Sequence, residues 1–205
     1  MNHTPATVAL LTPIAIASLA MTSAAHAGSI VQEGTLSGGT GPMVQDVVLD
    51  QFDDQDGTLA LKAVQLDFLT SLIGGYTTDG SGIAVHIQAI LFAEWALNTN
   101  ILAQTQAMID TVVPNTAPGT ATVFNTDTEA VTITAPADLA AWIGPGTITL
   151  EAFTNFSVSE DPAGVIDFGA GGTVRYTVTY EYNVVPAPGT ALLLGALVIG
   201  RRRRR

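Results

Sequence analysis

The chain has 205 residues, no cysteine, three histidines and a formal net charge of −11. Without cysteine there is no disulfide, thiolate nucleophile, iron–sulfur cluster or Cys-type zinc site. An acid excess of this size repels polyanions and excludes nucleic acid as a partner.

Residues Met1 to Ala27 read as a secretory signal peptide. An apolar stretch runs from Val8 to Ala20, and Ala25-His26-Ala27 supplies a small-x-small site before Gly28, so cleavage is expected after Ala27. Between Gly28 and Val185 the chain is long enough for one domain with its own core. That segment holds all 18 acidic residues but keeps only two bases, Lys62 and Arg175, giving it a formal charge of −16. Such a surface stays solvated and attracts divalent cations. The segment is rich in Thr, Val, Ala and Gly, with breakers at short intervals. That pattern predicts an all-β fold over residues 28–183, an antiparallel β-sandwich of jelly-roll-like form. A signal helix before it and a short hydrophobic helix within 184–205 complete the expected layout.

Leu49 to Phe68 reads strand, tight acidic turn, strand. Asp53 and Asp54 are suited to bonding turn N–H groups, and Gly57 supplies a positive φ. Leu59, Leu61 and Ala63 share one phase and Val64, Leu66 and Phe68 the other, which predicts a β-bulge near Ala63 or Val64. Asp53, Asp54 and Asp56 are the candidate calcium ligands. With Gly57 in the sixth position of an EF-hand loop, however, Phe52 would be first and Ala63 twelfth, so this is no EF-hand. A looser calcium site at the sandwich edge is the alternative to plain turn capping; no other cofactor is expected. Gln51, Phe52, Asp53, Gly57, Thr58 and Leu59 resemble the QFDPxxGTL part of the QFDPxxGTLxxV signature of choice-of-anchor E domains, with Asp54 in place of Pro and Asp56 in place of an apolar residue. Val178 to Tyr182, VTYEY, fits the same family. The resemblance implies an extracellular all-β domain joined to an anchoring signal, and it carries no catalytic residues.

Ile83 to Val113 fits helix nearly as well as strand by periodicity. The Asn98-Thr99-Asn100 turn divides it into two runs of strand length, which favours a hairpin. Ala121 to Ala135 alternates around Val123, Val131 and Ile133, with a turn expected between Asn125 and Glu129. Gly146 to Ser159 is a strand or strand pair. Thr173 to Tyr182 alternates strictly, placing Val174, Tyr176, Val178, Tyr180 and Tyr182 on one face. Gly169, Gly171 and Gly172 are expected to form the loop feeding it.

The tail, Val184 to Arg205, has three parts in order. Val185-Pro186-Ala187-Pro188-Gly189 forms a turn that denies helix geometry. Ala191 to Gly200 is apolar, about 15 Å long as a helix and roughly half a hydrocarbon core. Arg201, Arg202, Arg203, Arg204 and Arg205 then act as a stop on the cytoplasmic side. The tail resembles the PEP-CTERM sorting signal, with Ala187 where that family carries Glu. The resemblance implies export, transient association with the inner membrane, and processing by an exosortase-type membrane protease. The alternative is a weak C-terminal transmembrane anchor.

The mature segment offers little to a catalyst. Its one imidazole is His86, within an apolar run, and no paired carboxylates stand out. Trp95 and Trp142 are either core residues or sugar-stacking platforms. The reading is a non-enzymatic protein of the cell surface or extracellular matrix. The alternatives are a module binding extracellular polysaccharide, which needs an exposed aromatic pair on one sheet face, and a calcium-stabilised adhesive domain.

Overall fold

A computed structural model of the chain describes residues 27–185. The expected signal helix and hydrophobic tail helix lie outside them. Eight strands follow in order: β1 Ala27–Ser37, β2 Gly41–Asp50, β3 Leu59–Asp79, β4 Val85–Leu97, β5 Asn100–Val113, β6 Pro118–Ile133, β7 Thr147–Asp161 and β8 Asp167–Val184. They form two four-stranded antiparallel sheets, ordered β1-β8-β3-β6 and β2-β7-β4-β5. This is the wiring of an eight-strand jelly roll built from two Greek keys.

Period-two patterning explains the layers. On β8 the side chains of Val174, Val178 and Tyr180 are buried, with Tyr176 and Tyr182 packed against the same core. On β4 the buried positions are Val85, Ile87, Ala89, Leu91, Ala93 and Trp95, again every second residue. Between β4 and β5 the chain reverses at Asn98 and Thr99, both at positive φ, so Ile83 to Val113 is a hairpin as expected. On β3 the register with β8 shifts between Leu61 and Ala63, leaving Lys62 as the extra residue. The bulge lies beside its expected place, and it lets Ala63 and Val64 both be buried.

Two local expectations are corrected. No turn interrupts Asn125 to Glu129; β6 is continuous and pairs with β3 from Pro118 to Ile133. The polar run there is a consequence of edge position, because Asp127 and Glu129 turn their carboxylates onto the edge of β5. Gly169, Gly171 and Gly172 form no loop but belong to β8, paired with β3. Gly172 is small because Leu91 fills its space: a Cβ there would meet Leu91 Cδ2 at 2.4 Å and the Ser71 carbonyl at 3.0 Å.

Between β6 and β7 lies one short helix, α1 (Pro136–Leu139), followed by a 3₁₀ turn over Ala140–Trp142. Pro136 opens it, where a missing N–H costs nothing. It closes one end of the sandwich by sending Leu139 and Trp142 into the core.

Candidate functional site

The acidic turn is a structural device. Its Phe52 is fully buried and packs at a tilt against both Tyr180 and Tyr182, with ring centroids 6.1 and 5.5 Å away. The Phe52 N–H donates to the Trp142 carbonyl at 2.8 Å, and the Gly144 N–H donates back to the Phe52 carbonyl at 3.0 Å. Gln51 fixes the same contact by donating its side-chain N–H to the Ala141 carbonyl at 2.9 Å. Asp53 then accepts the Gln55 N–H at 2.9 Å, and Leu59 N–H donates to the Asp54 carbonyl at 2.9 Å. Gln55, Asp56 and Gly57 all take positive φ, and the chain passes from β2 in one sheet to β3 in the other. Asp53 and Asp56 are exposed and Asp54 half-buried, and no group of three or more acidic or histidine side chains among the described residues is placed to hold a metal ion.

Of the residues expected to carry targeting, Ala27, Gly28 and Val185 lie within the described part; Ala25 and Pro186 to Arg205 lie outside it. Gly28, the second residue of β1, stands opposite Tyr182, whose ring fills the space a Cβ would need. Val185 donates its N–H to the Thr58 carbonyl at 2.8 Å, one residue past the end of β8.

Trp95 and Trp142 are both fully buried and offer no sugar platform. Trp95 stacks on Phe68 with centroids 4.6 Å apart, and Trp142 meets Tyr180 edge-on. His86 is exposed and bonded to the Asp110 carboxylate, which that hydrogen bond holds below its ordinary pKa.

The surface richest in recognition chemistry is the outer face of the β2-β7-β4-β5 sheet. Cross-strand register places Pro42, Asn155, Phe92 and Gln106 in one row, and Val44, Phe153, Glu94 and Gln104 in the next. Ser157, Ile90 and Met108 form the row on the other side of Phe92. Phe92 and Phe153 are half-buried and meet edge-on, with centroids 6.3 Å apart. Around them Asn155, Gln104 and Gln106 are exposed, and Gln104 donates its side-chain N–H to Glu94 at 2.6 Å. Sequence reasoning looked to the tryptophans and missed this pair. Phe92 sits between buried neighbours in a run whose phase was undecided, so its outward direction appears only once the strand register is known.

No protein-family model and no curated protein matches the chain. Among solved structures it is similar to that of Desmodium yellow mottle tymovirus, at 13% identity and a TM-score of 0.27, covering 90% of this chain and 99% of that one. Mud crab tombus-like virus follows at 11% identity and a TM-score of 0.26, covering 94% and 100%. The Gt strain of infectious bursal disease virus gives 13% identity and a TM-score of 0.16, covering 98% and 53%. Likenesses this weak carry no argument, and the jelly-roll assignment rests on strand order alone.

The opposite outer face differs in kind. It carries Thr173, Thr177 and Thr179 on β8 and, across the intervening β3, Thr126, Thr128 and Thr132 on β6, and both bases of the described segment lie in its strands. Phe124, 78% exposed, stands there beside Ile73 over a shallow trough of about 250 Å³ lined by Ser71, Thr126 and Thr173.

Proposed function

We propose that this chain is a non-enzymatic protein exported across the inner membrane and sorted to the cell surface or extracellular matrix through its C-terminal signal. An exosortase-type membrane protease is the processing partner in this reading. The observation that carries it is where the domain meets its two signals. Ala27 pairs with Asn183 at one end of one sheet, and Val184 with Leu59 beside it. Cleavage after Ala27 would leave β1 intact from Gly28 onward, and removal of the tail beyond the Pro-Gly turn would leave β8 intact. The domain is therefore suited to survive loss of both segments.

The chemistry of the mature segment agrees. One exposed histidine bonded to Asp110, with no thiol, leaves little for nucleophilic catalysis. The −16 charge suits a solvated extracellular domain. Fractionation of the native host tests the reading, using the full chain and a variant ending at Gly189. The full chain should reach the surface or matrix fraction. The shortened chain should be exported without being retained there. Equal retention of both would remove the tail from the account.

A further inference from the structure

We propose that the outer face of the β2-β7-β4-β5 sheet, centred on Phe92 and Phe153, binds a neutral polysaccharide. This rests on the reading of the chain as a surface or matrix protein, and it names that protein's ligand. A pyranose ring has two chemically distinct aspects, an apolar C–H face and a rim of hydroxyls. The first is matched by an aromatic ring, the second by planar groups that donate and accept side by side. The face supplies both. Phe92 and Phe153 lie on adjacent strands in adjacent rows, with Val44 and Ile90 extending the apolar strip on either side. The amides of Asn155, Gln104 and Gln106 and the carboxylate of Glu94 flank that strip at register positions in the same two rows. Strand rows on one face lie about 7 Å apart, so the two rows and their flanks give a polymer several successive contacts.

Charge selects a neutral polymer. Neither base of the described segment lies in this sheet, since Lys62 is on β3 and Arg175 on β8. The face itself carries Glu94, Glu151 and Asp110. A polyanionic glycan would meet repulsion with no lysine or arginine on this face to offset it, and the one histidine there, His86, is bonded to Asp110. A second copy of the chain would meet the same repulsion, acid against acid.

Affinity electrophoresis of the exported protein, recovered from cells expressing the full chain, tests the assignment. The gels contain hydroxyethyl cellulose, dextran, galactomannan or xylan, with alginate as the polyanion. At least one neutral polymer should retard the protein, and alginate should not. Phe92→Ala/Phe153→Ala should weaken retardation at least about tenfold. Because those rings are half-buried, Gln106→Ala/Asn155→Ala serves as a second variant of two exposed residues, expected to weaken binding several-fold with unchanged melting temperature. Phe124→Ala on the opposite face should leave binding unchanged. Absence of retardation by all four neutral polymers, alginate binding as tight, or loss of binding in Phe124→Ala would overturn the proposal. So would a dimer that Phe92→Ala/Phe153→Ala dissolves, since it would assign the face to a second copy. A protein that reaches the surface yet binds no polymer defeats this inference alone; a protein that stays in the cytoplasm defeats the reading beneath it.

Discussion

The carboxylate of Glu129 accepts the backbone N–H of Gln104 at 2.6 Å, across the gap between the two sheets. Asp127 does the same for Gln106 at 2.8 Å. On the other flank the Gln32 side chain donates to the Asp50 carbonyl at 2.8 Å and accepts the Asp50 N–H at 2.9 Å. Side chains of one sheet thus occupy backbone groups on both edges of the other, groups that would otherwise be templates for pairing with another chain. Glu129→Ala and Asp127→Ala should each speed hydrogen exchange at their own target amide roughly tenfold, the loss of about one hydrogen bond. Glu129→Gln keeps an acceptor and should preserve most of the protection. Exchange at Gln104 that ignores Glu129→Ala would contradict the seam.

The acidic turn should behave as a plug with a hinge. Phe52→Ala empties a fully buried ring site and is expected to cost about 3–5 kcal/mol. Gly57→Ala forces a side chain into the left-handed region, at a cost of about 1–2 kcal/mol. Urea denaturation measures both. A Phe52→Ala loss below that of Gly57→Ala would mean that the plug is not what holds the turn.

Leu91 and Gly172 form a knob and its socket across the two sheets. Gly172→Ala should cost about 1–3 kcal/mol through overpacking. In a Leu91→Ala background much of that cost should vanish, because the clashing atom is gone; a double-mutant cycle reads the coupling. Additive losses would show that the Ser71 carbonyl, 3.0 Å away, is the limiting contact instead.

The fold was largely legible where alternation was strict. Val174 to Tyr182 follows from side-chain period, whereas the hairpin around Asn98 follows from its turn residues and the length of the two runs, periodicity there fitting helix nearly as well. Legibility failed where a residue's role depends on a partner far along the chain. Asp127 and Glu129 resemble turn residues until β5 lies beside them, and Gly172 resembles a loop residue until Leu91 fills its space. Gly28 to Val48 suffers likewise: β1 needs Gly28 and Gly34 so that the rings of Tyr182 and Tyr176 can lie over its backbone. Of the candidate site, the tryptophans drew notice for their size, and both proved to be core. Phe92 and Phe153 became a pair only through register between strands some sixty residues apart.

Tyr180 contributes to the loss of stability at alkaline pH. Its hydroxyl donates to the Asp50 carbonyl at 2.8 Å. Burial, then the charge of Asp50, pushes its phenol from 10.0 up to about 12. A phenol with a raised folded pKa favours the neutral form. Its contribution is complete below pH 10 and is lost as pH climbs from there through about 12. Tyr180→Phe should cost about 1 kcal/mol at neutral pH through the lost hydrogen bond. It should also flatten the decline in stability over that alkaline window. Parallel pH profiles for wild type and variant would contradict the assignment.

Export and sorting form the central claim, and intact-mass measurement of protein recovered from the surface or matrix fraction of the native host tests it most directly. The account predicts a chain that begins at Gly28 and ends within or just beyond Val185-Pro186-Ala187-Pro188-Gly189, without the apolar segment or Arg201 to Arg205. Protein recovered from that same surface or matrix fraction with the apolar segment and Arg201 to Arg205 still attached would contradict it.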